Sequence, residues 1–295
     1  MSSILSTRRL ALGTAQFGLD YGIANHAGQV RADEVAAILR SSTDAGLEML
    51  DTAIAYGDSE ARLGQMGVHD WQVVSKLAPL PDGTVDVRAW VNSAVMGSLA
   101  RLKVATLSGL LFHQTSDLLG QQGDSLYAAV SALKSHGLVK KIGISIYQPD
   151  ELTPICERMS FDIVQAPFNI FDRRLIDSGW MNRLHAMGVE LHVRSVFMQG
   201  LLLIPAAQRP AKFQRWQPLW DEWARWLHLH QLTPLEACLR FVLAFSEPRR
   251  VIVGVDTSAQ LAEILQAAQG ALPLLSPALQ SNDVDLLNPS NWHHL

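Results

Sequence analysis

Asp51, Tyr56, Lys76 and His113 stand at or just beyond the ends of three short apolar runs, EMLDTA, WQVVSKL and LSGLLFHQ. Taken singly, each has an ordinary structural reading: a turn cap, a ring packing a loop, a solvated amine, a satisfied core imidazole. Together they supply one chemistry. A carbonyl that receives hydride needs a proton at its oxygen, and a phenol with an ordinary pKa of about 10 is a slow acid near neutrality. A lysine beside Tyr56 stabilises the phenolate as it develops, and Asp51 keeps that lysine charged and oriented. His113 can hydrogen-bond the carbonyl oxygen, polarising and positioning it. The same lysine leaves a Schiff-base reading open, a lyase or aldolase in which a desolvated Lys76 amine attacks a carbonyl carbon.

These side chains can meet only if the runs that carry them lie side by side. Eight apolar runs alternate with amphipathic stretches: LALGTAQFG, EMLDTA, WQVVSKL, LSGLLFHQ, KKIGISIY, DIVQAPFN, ELHVRSVF and RVIVGVD. The 3.6-residue period predicts helices over 33–45, 58–66, 86–103, 123–136, from 149, and over 177–187, 216–230, 234–246 and 258–268. Strands separated by helices pair in parallel through right-handed crossovers, and eight of them close most readily into a (β/α)8 TIM barrel of the α/β class. Polar residues at the carboxyl ends of such strands converge on one mouth. An open doubly wound sheet is disfavoured because no G-x-G-x-x-G follows the first strand.

Composition agrees with one barrel domain over residues 1–295. Hydrophobic residues make up 48% and charged ones 18%, enough for a large core. A net charge of −4 without a basic run gives no electrostatic footprint for nucleic acid or an anionic membrane. Cys156 and Cys238 lack metal-ligand spacing and read as reduced thiols, so no metal is expected. The start, MSSILSTRRL, lacks the apolar segment of a signal peptide, and no run of eighteen apolar residues follows. The expectation is a cytoplasmic protein acting on a small molecule. Residues 198–232 are an insertion between the seventh strand and the last crossover helix; its 198–215 part is either a cover over the mouth or a surface connection. Trp216, Trp220, Trp223 and Trp226 recur at helical spacing as a buried face. The tail over 271–295 shows no period, and His293 and His294 are given no role.

The order and spacing of LGTAQFG, LDTAIAYG, VVSKL, LLFHQ, IGIS and Gln165 in DIVQAPFN resemble the aldo-keto reductase superfamily, over roughly residues 8–270. GTAQFGLDYGI is similar to a bacterial branch linked to sugar or surface-polysaccharide metabolism. The resemblance implies NAD(P)H lying extended across the barrel mouth, NADPH by the family's habit, with NADH the other candidate. It sets Gly13, Thr14, Ala15 and Asp51 beside the nicotinamide and Ser145 and Gln165 on its carboxamide. Arg194, Ser195, Phe197 and Gly200 follow along a loop near the pyrophosphate. Gly254, Val255, Asp256, Thr257, Ser258, Gln260 and Glu263 come at the adenosine end.

Three departures from the family pattern stand out. Ile146 replaces the usual Asn after Ser145. Arg194 replaces an aromatic stacking residue, where a planar guanidinium could stack or face a substrate anion. No Lys or Arg occurs between Gly254 and Glu263 to meet a 2′-phosphate, although hydroxyls and amides at a helix start could hold one. Tyr21, His113 and Phe168, with Trp216, are expected against a small-molecule carbonyl, a sugar-derived aldehyde or ketone, within a pocket built from the 19–26 and 80–83 loops, the 198–215 insertion and the tail. A non-catalytic, nicotinamide-binding regulatory member of the fold is the remaining alternative.

Overall fold

In the computed structural model, which describes residues 7–25 and 27–295, the apolar runs become strands: β1 (Leu10–Gly13), β2 (Met49–Asp51), β3 (Gln72–Leu77), β4 (Gly109–Phe112), β5 (Ile142–Ser145), β6 (Ile163–Pro167), β7 (Glu190–Arg194) and β8 (Pro248–Gly254). His26, the end of one expected substrate loop, and residues 1–6 of the expected leaderless start lie outside the described residues. All eight strands pair in parallel in chain order, and β1 closes the barrel on β8 from Leu10↔Val251 to Gly13↔Gly254. The crossover helices are α1 (Ala32–Asp44), α2 (Ser59–Met66), α3 (Val87–Leu102), α4 (Gly123–Ser135), α5 (Leu152–Cys156), α6 (Trp180–Ala186), α7 (Gln217–His230) and α8 (Pro234–Leu243), and α9 (Ser258–Ala267) follows the last strand.

Strand side chains alternate between two environments. Ala11, Met49, Val74, Leu111, Ile163 and Ile252 fill the barrel interior, while their neighbours Leu10, Leu12, Leu50, Val73 and Val164 join the larger core beneath the helices. Local signals set the helix ends. Thr233 and Glu236 form a reciprocal capping box with Pro234 at the first turn of α8, and Gly179, at φ +75°, separates a short turn at Arg174–Asp177 from α6. The latter break divides the predicted 177–187 helix.

Between β7 and β8 come 3₁₀ turns at Leu201–Leu203, Ala206–Gln208 and Ala211–Trp216, then α7 and α8. Trp220, Trp223 and Trp226 are buried as the spacing predicts. The tail, by contrast, carries more structure than its aperiodic sequence suggests. A turn at Val284–Leu287 and a 3₁₀ segment at Pro289–His294 bury Leu286, Leu287 and Trp292. Lys212 Nζ donates to the Trp292 carbonyl at 2.6 Å, Arg215 pairs with Asp283 and Asp285, and Trp216 Nε1 donates to Asp283. The tail is thereby fastened to the 211–216 turn.

Candidate active site

The carboxyl ends of the strands surround a cavity of about 550 Å³, within the range of small-molecule sites. At its floor Lys76 is 1% exposed and Asp51 4%. Lys76 Nζ stands 2.5 Å from Asp51 Oδ1 and donates to the Thr52 carbonyl at 3.0 Å. Burial by itself would lower the pKa of this ammonium, but the Asp51 charge and Tyr56 outweigh it and the net shift is upward. The lysine therefore stays protonated. Its Nζ lies 5.0 Å from the centre of the Tyr56 ring.

Backbone packing fixes the Tyr56 loop. Gly18 and Gly57 meet face to face: a Cβ on Gly18 would stand 1.8 Å from the Tyr56 carbonyl, and one on Gly57, itself at φ +55°, would stand 2.3 Å from the Gly18 carbonyl. Only glycine fits either place. Ser59 ties the loop to β1 by donating to the Thr14 carbonyl, and the Thr14 amide and hydroxyl both donate to the Asp51 carbonyl. The His113 ring meets Tyr56 edge-on, with centroids 6.0 Å apart. Burial, with the nearby positive charges of Lys76 and Arg194, lowers the His113 pKa to about 4, so the imidazole is neutral at neutral pH. A phenol backed by a cation and a neutral imidazole thus line the same part of the cavity.

The other oxygen of Asp51, Oδ2, accepts from Gln165 Nε2 at 2.7 Å, and Ser145 Oγ lies 3.4 Å from Gln165 Oε1. Gly13, Thr14, Ala15, Ser145, Gln165, Arg194, Ser195, Phe197 and Gly200 all line the cavity, as do Gly254, Asp256, Gln260 and Glu263. Arg194 donates to the Ile146 carbonyl at 2.9 Å and to Ser195, and its guanidinium lies 4.7 Å from the centre of the Tyr147 ring. Ile146 itself points into the core. After Arg194 the chain turns sharply. Ser195, Met198 and Gln199 have φ of 60°, 47° and 54°, and Asn169 holds this turn by donating to the Ser195 carbonyl. Left-handed backbone in residues other than glycine is uncommon and clusters at functional sites.

Five expected contacts are corrected, and the expected 80–83 loop lines a separate pocket rather than this cavity. Phe168 is fully buried against Phe241 and Phe245, because alternation along β6 turns Gln165 inward and 168 outward. Val255 is turned outward from β8 for the same reason and is 1% exposed. Ser258 does not line the cavity; its amide donates to Glu34 Oε1 at 2.5 Å. Trp216 packs on Phe213 instead of the cavity, and Thr257 caps α9. Tyr21 does line the cavity, with its hydroxyl 3.3 Å from Gln199 Nε2. The sequence reading did not single out Gln16 and Tyr147, while Asn25, Gln199, Leu203, Pro289 and Ser290 fall in loops or the tail that it expected around the pocket without being named there. Tyr147 could have been found, since it shares the parity of Ser145; nothing in the tail sequence points to Pro289 and Ser290.

The sequence pattern described as the Aldo/keto reductase family matches residues 9–274. The chain belongs to the aldo/keto reductase family. Among its relatives, D-threo-aldose 1-dehydrogenase of a Pseudomonas species is 28% identical, over 89% of this chain and 92% of that protein. An uncharacterised oxidoreductase of Bacillus subtilis is 24% identical, over 88% and 91% respectively. The fold is shared with an aldo-keto reductase of Bacillus halodurans in its holo form, at TM-score 0.71 and 21% identity, covering 92% of this chain and 89% of that one. A second structure, described as an aldo-keto reductase from Pseudomonas aeruginosa, has TM-score 0.65 at 23% identity, over 88% and 89%. This aldo/keto reductase is an oxidoreductase, and its family uses nicotinamide cofactors. Among the described residues no group of His, Cys, Asp or Glu could hold a metal ion, and no helix is long and apolar enough to cross a membrane.

Proposed function

We propose that this oxidoreductase reduces an aldehyde or ketone to an alcohol with hydride from NAD(P)H, Tyr56 delivering the proton. The observation that carries this reading is the buried, charged Lys76–Asp51 pair behind Tyr56, facing a neutral His113. His113 donates a hydrogen bond to the carbonyl oxygen and draws electron density from its carbon. As negative charge builds on that oxygen, Tyr56 gives up its proton, and Lys76 stabilises the phenolate left behind. In a buried setting this stabilisation is stronger than it would be in water.

A bound reduced nicotinamide supplies the hydride. The residues fit such a group: Gly13, Thr14, Ala15 and Asp51 would lie beside its ring, and Ser145 and Gln165 offer the mixed donor and acceptor set that a carboxamide needs. Arg194, Ser195, Phe197 and Gly200 would follow along its phosphates, with Gly254, Asp256, Gln260 and Glu263 beyond. The name of the 28% identical relative supports a sugar-derived substrate. Polar lining from Tyr21, Asn25 and Gln199 supports the same class. The two free cysteines suit a reducing compartment, and we assign the protein to the cytoplasm on that basis.

The Schiff-base alternative loses weight because a buried ammonium held charged by a carboxylate is a poor nucleophile. A panel of aldoses and simple aldehydes, followed by cofactor oxidation, tests the proposal. Tyr56→Phe should lose activity by about 10²-fold or more while still binding cofactor. Normal turnover by that variant would sink the role of Tyr56. Tight cofactor binding by the wild type with no turnover on any carbonyl would favour the regulatory alternative.

A further inference from the structure

NADPH differs from NADH by a phosphate dianion on the adenosine ribose. A site that holds it needs cations or unspent backbone amides. Among the described residues lining the cavity the cations are Lys76 and Arg194, and both act on His113 at the catalytic end. The opposite end, at Gly254, Asp256, Gln260 and Glu263, presents two carboxylates. A third, Asp20, adds its negative charge to the field at Asp256.

The start of α9 is the remaining place for an anion, and the protein fills it from within. The Ser258 amide donates to Glu34 Oε1 from α1, 224 residues away in sequence. The Gln260 amide donates to Thr257 Oγ1, and the Asp256 amide to Gln260 Oε1. The Ser258 amide also holds the Glu34 carboxyl below its usual pKa, keeping it ionised. Meanwhile Asp256 Oδ1 is buried and meets no hydrogen-bond donor of the protein. Buried polar atoms seldom go without a partner. A carboxylate oxygen in that state accepts readily from a hydroxyl, and a ribose that lacks the phosphate offers two.

We infer that the cofactor is NADH: Glu34 occupies the anion position at the start of α9, and Asp256 is left to accept the adenosine ribose hydroxyls. This rests on the nicotinamide-dependent reading above. Discrimination here comes from repulsion as much as from attraction, because a 2′-phosphate would meet Glu34, Asp256 and Glu263 with no cation opposite among the described residues lining the cavity at that end.

The test is equilibrium titration of the full chain with NADH and with NADPH, read by quenching of tryptophan fluorescence and requiring no substrate. NADH should bind more tightly by about tenfold or more, which corresponds to about 1.4 kcal/mol. Glu34→Gln combined with Asp256→Asn, with folding checked by circular dichroism, should narrow that ratio by about tenfold, chiefly through a gain for NADPH. NADPH binding as tightly as NADH would overturn the inference and leave the carbonyl-reductase reading intact. Binding of neither would overturn both. A wild-type preference that the folded double variant leaves unchanged would overturn the assignment to Glu34 and Asp256.

Discussion

Gln165 Nε2 donates to Asp51 Oδ2 at 2.7 Å, so the carboxylate that holds Lys76 on one oxygen is itself held, on the other, from across the barrel. The expected carboxamide-binding residue and the proposed catalytic ion pair are therefore parts of one buried network. Disturbing one should be felt at the other.

Asp51→Asn removes the charge beneath a lysine that is 1% exposed. Breaking one partner of a buried ion pair typically costs about 3–5 kcal/mol, and urea unfolding should show a loss of that order together with near-complete loss of activity. Wild-type stability in the variant would mean that water reaches Lys76 and the pair is not sealed.

Gln165→Leu leaves both charges in place but strips Asp51 Oδ2 of its donor. An unsatisfied buried acceptor costs about 1–3 kcal/mol. Cofactor affinity should fall as well, whereas a purely structural Gln165 would lower stability and leave affinity unchanged.

His113 carries a pH signature. Its pKa is depressed from the ordinary value of 6.5 to about 4, so between those values the unfolded chain binds a proton that the native chain refuses. Stability should therefore rise with pH across that window and be lost as pH falls through it, by at most about 1.4 kcal/mol per pH unit for one proton. His113→Asn should flatten this part of the stability curve. Arg194→Met removes one of the positive charges acting on the ring, so the imidazole pKa should move upward, as measured by NMR titration.

Trp292 is 4% exposed and packs edge-on against Phe213. Trp292→Ala should cost about 3–5 kcal/mol, and cofactor affinity should fall too, because Pro289 and Ser290 beside it line the cavity. Loss of stability with unchanged affinity would separate the tail from the site.

Much of this was legible in the sequence, for a physical reason. Strand and helix periods, and the placement of Asp51, Lys76 and His113 at strand ends, are local properties that a parallel barrel converts directly into convergence. Phe168 and Val255 were misplaced because residues next to a site residue on a strand face the opposite way, and motif matching ignores that parity. Ser258 was misplaced because its partner Glu34 lies on another helix, a pairing with no local signal. Gly18 and Gly57 fall in the right motifs, yet their backbone-to-backbone contact emerges only once the β1 and β2 loops are stacked. The tail was unreadable because its turns are too short to show a period.

β1 begins at Leu10 and finds its second neighbour in β8, whose last residue is Gly254, and the cavity wall is completed by Ser290. On the ribosome, then, the barrel cannot close until β8 emerges, and the cavity wall stays open until Ser290 follows. A nascent chain carrying Asp51, Tyr56, Lys76 and His113 holds the proposed reactive groups long before it holds the chamber around them. Translation order thus separates the appearance of these groups from the closure of the chamber around them.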